Sequence, residues 1–166
     1  MNNIILYHGS TQPIETPSVN IGRDDLDFGK GFYLTVYQEQ AERWAIRMRL
    51  IRAELNAWVS EYELNWNKIE NNNYRILKLE FYDKQWLDFI VASRNGDMPW
   101  RHYDIIEGGV ANDKVIDTVE DYLGGIITVE QALGQLRYTK PNHQICILNQ
   151  FIIDDCLSFR KSYKID

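Results

Sequence analysis

Phe28-Gly29-Lys30-Gly31-Phe32-Tyr33-Leu34-Thr35, preceded about twenty residues earlier by Tyr7-His8-Gly9-Ser10, decides how this chain is read. Gly31 to Thr35 has the β-branched and aromatic content of a strand, introduced by a turn at Gly29. Ile4 to Tyr7 is a short apolar run that ends at His8-Gly9-Ser10 and reads as an N-terminal strand. Between the two, residues 11–27 hold two prolines, a glycine and several acids, the composition of a loop. Downstream, Ala41, Trp44, Ala45, Met48, Ile51 and Leu55 fall at helical spacing, so a helix is expected from Gln38 to about Asn56. Arg43, Arg47, Arg49 and Arg52 give it a basic flank, read as a solvated face.

Working outward, Trp58–Leu64 and Arg75–Phe81 alternate with a period of two and are expected to be strands, with Asn71-Asn72-Asn73 as the turn between them. Asp83 to about Ser93 is expected to be a helix. Tyr103–Ile106 is a further strand, ending at Gly108-Gly109. Short helices follow near 112–122 and 128–137, then strands over Gln144–Leu148 and Ser158–Ile165. No repeat, low-complexity tract or linker interrupts the pattern, so residues 1–166 are expected to form one α+β domain of mostly antiparallel strands.

Composition narrows the function classes. With 166 residues the chain can bury a sizeable core, and the net charge of −6 argues against broad phosphate-backbone binding. Ten Tyr, six Phe and five Trp supply both core and stacking surfaces for flat ligands. Cys146 and Cys156 stand outside any CxxC or Cys/His cluster, so neither a disulfide framework nor a structural metal is expected. No signal-peptide pattern and no membrane-length apolar run is evident, which leads to the expectation of a cytoplasmic protein.

The two opening segments, LYHGS and DFGKGFYLTVYQEQAERWA, resemble the first two signature segments of the diphtheria-toxin/PARP-type ADP-ribosyltransferases. With YDIIEGGVAND near residue 103, the whole chain further resembles a bacterial family of unknown-function domains suspected of that activity, some encoded beside small antitoxin-like partners. The resemblance implies a split antiparallel sheet and NAD⁺ as co-substrate. It implies that His8 hydrogen-bonds the adenosine ribose and that the Gly9 backbone pairs with the nicotinamide carboxamide. Ser10 and Gly31 would complete the binding segments, Tyr33 would stack on nicotinamide, and Trp44 would stand where the group has a second stacking tyrosine. A cationic ring between two aromatic faces gains roughly 0.5–2 kcal/mol per face.

Two positions depart from the pattern. Ala41 replaces a serine that often helps hold the carboxamide, and Gln144 in NHQICIL stands where a glutamate is expected. Glutamate there would stabilise an oxocarbenium-like transition state by its charge; glutamine orients the ribose but supplies neither charge nor a base. Asp104, Glu107 and Asp113 are acids that would substitute if the fold brought one of them close.

On residue type alone, His8 would be structural, Gly29-x-Gly31 a generic turn and Trp44 a core aromatic; His102 and His143 read as structural or surface residues. The Gly pair lacks the strand-to-helix context of a dinucleotide-binding fingerprint, which argues against a dehydrogenase. The leading expectation is a mono-ADP-ribosyltransferase acting on an unknown acceptor as a toxin or effector, with a small antitoxin protein as partner. The alternatives are an NAD⁺ glycohydrolase and a catalytically silent NAD⁺- or ADP-ribose-binding module. RNA 2′-phosphotransfer would call for further basic and histidine residues near the site.

Overall fold

The computed structural model describes residues 2–21, 26–111 and 113–166, the side chain of Asp113 excepted. Seven strands and six α-helices alternate along them. The first half runs β1 (Ile4–Ser10), β2 (Phe32–Leu34), α1 (Gln38–Ile51), β3 (Ala57–Leu64), α2 (Trp66–Glu70), β4 (Ile76–Leu79) and α3 (Lys84–Arg94). A 3-10 turn at Pro99–His102 leads into β5 (Ile105–Gly108), α4 (Asp113–Leu123), α5 (Val129–Leu136), β6 (Gln144–Ile147), α6 (Gln150–Cys156) and β7 (Leu157–Ile165). The fold is α+β, as the sequence leads one to expect.

The strands form two sheets. One has the order β1-β3-β7 and is antiparallel throughout. The other has the order β2-β6-β5-β4; its β2–β6 and β5–β6 pairs are antiparallel, while β4 and β5 run parallel. A single bridge between Tyr7 and Thr35 joins β1 to the end of β2. Past that bridge the two sheets part, leaving a seam between the strands that carry the two opening segments.

Strand alternation sorts the second sheet's side chains onto two faces. Phe32, Leu34, Ile105, Ile145 and Ile147 face a core shared with Leu6, Tyr62 and Leu64 of the first sheet. Tyr33, Leu77, Ile106 and Cys146 face a second core, filled by Trp86, Leu87 and Ile90 of α3 and by Val115, Val119, Ala132 and Leu136 of α4 and α5. A third, small cluster lies where Ala41 and Ala45 of α1 press on Val59 and Tyr7.

Several expected boundaries shift. The first helix stops at Ile51, not near Asn56, because Ala53 takes a left-handed φ of 51° and the Glu54 amide turns back to the Arg49 carbonyl. Leu55, which continued the apolar spacing, is consequently 90% exposed. The strand expected over Arg75–Phe81 shortens to Ile76–Leu79, leaving Phe81 exposed, and the one expected over Tyr103–Ile106 slides to Ile105–Gly108. Helices α2 and α6 have too few turns to show periodicity. Their sequence signals were Asn65 and Asn149, whose side chains accept from the amides of Lys68 and Phe151. Within the loop expected at 11–27, residues 22–25 lie outside the described residues.

Candidate functional site

The seam is built by what each residue can satisfy locally. In an antiparallel ladder, the N–H and C=O of alternate residues point to the same edge. Tyr7 exchanges both of its main-chain hydrogen bonds with Thr35, at 2.8 and 3.0 Å, so its polar groups face β2. Two residues on, Gly9 aims its N–H and C=O the same way, where no strand among the described residues pairs with them. By the same alternation Tyr33, two residues before Thr35, aims its carbonyl back toward β1. There the His8 Nδ1–H donates to it across 2.7 Å.

That bond defines the tautomer of His8. A carbonyl can only accept, so Nδ1 carries the proton and Nε2 keeps a lone pair for a donor. Burial lowers the imidazole pKa below its usual 6.5, against the opposing pull of the Tyr33 carbonyl, which keeps the ring neutral. The ring stacks on Phe32 with centroids 4.4 Å apart.

Gly9 is buried because α1 lies directly on it; a Cβ there would collide with the Ala41 carbonyl oxygen. Gly31 is equally constrained, since a side chain would meet Cys146 Sγ and the Ile147 carbonyl. Both glycines serve close backbone approach. Ser10 closes β1 opposite Trp58.

Tyr33 is anchored at its far end. Its hydroxyl donates to the Gly29 carbonyl at 2.7 Å and accepts the Phe28 amide at 3.1 Å, folding the Phe28–Gly31 turn around the phenol. Burial, reinforced by the Cys146 thiol, drives its pKa well above 10, so the phenol stays protonated. Tyr33 and His8 do not share a face. The imidazole lies on the Phe32 side of the second sheet and the phenol on the opposite side, so they meet only through the Tyr33 main chain.

Gln144 opens β6 opposite Gly108, on the same face as Tyr33 and Cys146. Its Oε1 is buried and has no hydrogen-bond partner. A buried acceptor without a donor is costly in a native fold. Its neighbour His143 is held on every side. Gln40 of α1 donates to the His143 carbonyl at 2.6 Å and accepts its amide at 3.3 Å. The His143 ring accepts the Val36 amide at Nδ1 and sits 3.0 Å from the Glu107 carboxylate at Nε2. Gln40 and Trp44 are one turn apart on the same flank of α1, so Trp44 projects from the side that braces residue 143. Trp44 is 47% exposed.

The candidate acids have other occupations. Glu107 pairs in register with Ile145, which puts it on the face opposite Gln144, and hydrogen bonding to His143 holds its pKa below the usual carboxylate value. Asp104 stands at the other end of β5. Burial works to raise its pKa, but bonds from the Arg75 amide and guanidinium and from Asn149 outweigh this and lower it. Neither stands in for a carboxylate at position 144. The side chain of Asp113 lies outside the described residues.

Residue-type reasoning missed two supports. Asp27 accepts the Ala111 amide at 2.6 Å and pairs with Arg94 at 2.8 Å, tying the turn before Tyr33 to α3 and to the segment after Gly109. The Gln40 brace carries no sequence signal, since a glutamine in a first helical turn is ordinary. Among the described residues no three His, Cys, Asp or Glu side chains gather as a metal site, and no helix is long and apolar enough to cross a membrane.

No curated protein and no solved structure matches the chain. The model of one family, described as a protein of unknown function (DUF3990), matches residues 4–159, and the chain belongs to that family.

Proposed function

We propose that the seam between β1 and β2 binds NAD⁺ and that the protein is a mono-ADP-ribosyltransferase, its two sheets being the split sheet of that group. The observation that carries this reading is the pair of main-chain groups at Gly9. A carboxamide presents one N–H donor and one carbonyl acceptor side by side, and an unpaired strand edge answers with one acceptor and one donor. Beside it, neutral His8 offers Nε2 to a ribose hydroxyl. The Tyr33 ring and, from the braced flank of α1, the Trp44 ring supply aromatic faces for nicotinamide. Gln144 Oε1 receives a ribose hydroxyl.

In the reaction the bond between nicotinamide nitrogen and ribose C1″ breaks, and its electron pair leaves with nicotinamide. The acceptor's nucleophile then attacks C1″ and releases its proton to solvent. Positioning supplies most of the rate, because Gln144 adds no charge to offset the cationic ribose. This chemistry takes place in the cytoplasm on an acceptor still to be found, and a small protein that covered the seam would restrain it.

A silent binding module is the second reading, favoured by Gln144 in place of an acid. Incubating the purified protein with NAD⁺ labelled in its ADP-ribose moiety, with and without cell extract, separates the cases. Label on macromolecules supports transfer, free ADP-ribose supports hydrolysis by water, and tight binding without either product supports the module. Tyr33→Ala should abolish whichever signal is seen; turnover at the wild-type rate in that variant would refute the site.

A further inference from the structure

A second site lies at the other end of the same sheet. From Gln144 to Leu148 a strand rises about 13 Å, and beyond Leu148 opens a cleft of about 350 Å³, bordered on the seam side by Lys30 of the Phe28–Gly31 turn. Three cations line it: Lys30, Arg75 and Arg101. One carboxylate, Asp104, accompanies them. Asp104 is already engaged by the Arg75 amide, by Arg75 Nε and Nη2 and by Asn149 Nδ2. That grip orients the Arg75 guanidinium and leaves its other N–H groups without a partner among the described residues, where Lys30 and Arg101 likewise form no ion pair. Trp100 also lines the cleft, and its buried indole N–H has no acceptor. Donors here outnumber acceptors, and the local charge is about +2 in a chain whose net charge is −6.

We propose that this cleft binds the phosphate of a phosphomonoester, free or at the end of a larger molecule. Such a group carries about −1.5 to −2 at neutral pH and three acceptor oxygens, which matches both the surplus charge and the excess of donors. Arg75 takes one oxygen, Lys30 and Arg101 neutralise the dianion from the rim, and the Trp100 ring in the wall senses the occupied cleft. The cleft adjoins the seam through Lys30, whose turn wraps the Tyr33 phenol, but none of His8, Gly9, Tyr33, Trp44 or Gln144 lines it.

The indole N–H resonance of Trp100, identified by its loss in Trp100→Phe, reports the site directly. Titration at constant ionic strength with AMP, inorganic phosphate, a 5′-phosphorylated oligonucleotide and adenosine should move that resonance with the three phosphorylated probes and leave it still with adenosine. A response to AMP and phosphate but not to the oligonucleotide identifies a small-molecule site, and a tighter response to the oligonucleotide identifies a terminal phosphate; both uphold the proposal. Lys30→Ala and Arg101→Ala, which alter partly or fully exposed side chains, should each weaken binding about tenfold. An unmoved resonance, an equal response to adenosine, or unchanged affinity in both variants would overturn it.

Discussion

His8 and Tyr33, 25 residues apart, are joined by a 2.7 Å hydrogen bond from an imidazole N–H to a main-chain carbonyl. The bond crosses the seam between the two sheets just beyond their last bridge, at Tyr7 and Thr35. It selects one tautomer of the imidazole, and it does so where the strand edge at Gly9 is unpaired.

Protonation of His8 opposes the fold, because burial depresses its pKa below 6.5. Between the folded value and 6.5 the unfolded chain binds more protons, so stability rises with pH through that window. It is complete above about 6.5 and is lost as the pH falls below it. Urea midpoints from about pH 5 to about pH 8 should show this slope in the wild type and not in His8→Gln. Parallel curves for the two proteins would mean that His8 titrates alike in both states.

Gly9→Ala should destabilise the protein by about 1–3 kcal/mol, since the added methyl must displace the α1 backbone at Ala41. Gly134→Ala is the control: nothing lies within 4 Å of its added Cβ, and helix propensity favours alanine by about 0.5–1 kcal/mol. Thermal unfolding of the two variants should therefore move in opposite directions.

Tyr33→Phe keeps the ring but strands the Phe28 amide and the Gly29 carbonyl, for a loss of about 1–3 kcal/mol. Labelled NAD⁺ handling should persist in this variant and vanish in Tyr33→Ala. Loss of both in Tyr33→Phe, with stability unchanged, would make the hydroxyl rather than the ring the functional group.

Gln144→Glu should raise NAD⁺ cleavage by roughly tenfold or more by supplying charge at the ribose. The buried Oε1 position offers that carboxylate no donor, so its pKa should lie above the usual range and the gain should grow as pH rises. A rate profile identical to the wild type would separate residue 144 from the chemistry.

Asp104→Asn should lower the urea midpoint modestly, because the bonds from the half-exposed Arg75 guanidinium lose their charge assistance. NAD⁺ turnover per folded molecule should be unaltered. A selective loss of turnover, with normal urea unfolding, would return Asp104 to the reacting centre.

Periodicity and turn chemistry were enough to read the α+β class and the placement of β1, β2, α1, β3 and β6. These signals are local: Ala41 and Ala45 sit one turn apart, and Gly31 to Thr35 reads as a strand on residue type. The left-handed turn at Ala53 and the short helices opened by Asn65 and Asn149 escaped that reading, because two turns or fewer leave no period to detect. The parallel pairing of β4 with β5 escaped it for another reason, since alternation is the same whichever way a neighbour runs. At the site, the resemblance carried by the two opening segments and by NHQICIL nominated His8, Gly9, Tyr33 and Gln144. Which face each side chain takes depends on register, and a shift of one residue exchanges the faces. Only the assembled sheets put Glu107 behind Gln144, turned the polar edge of Gly9 into the seam and set Gln40 against His143 across 103 residues of chain. Contacts of that range are decided by packing, which no local pattern encodes.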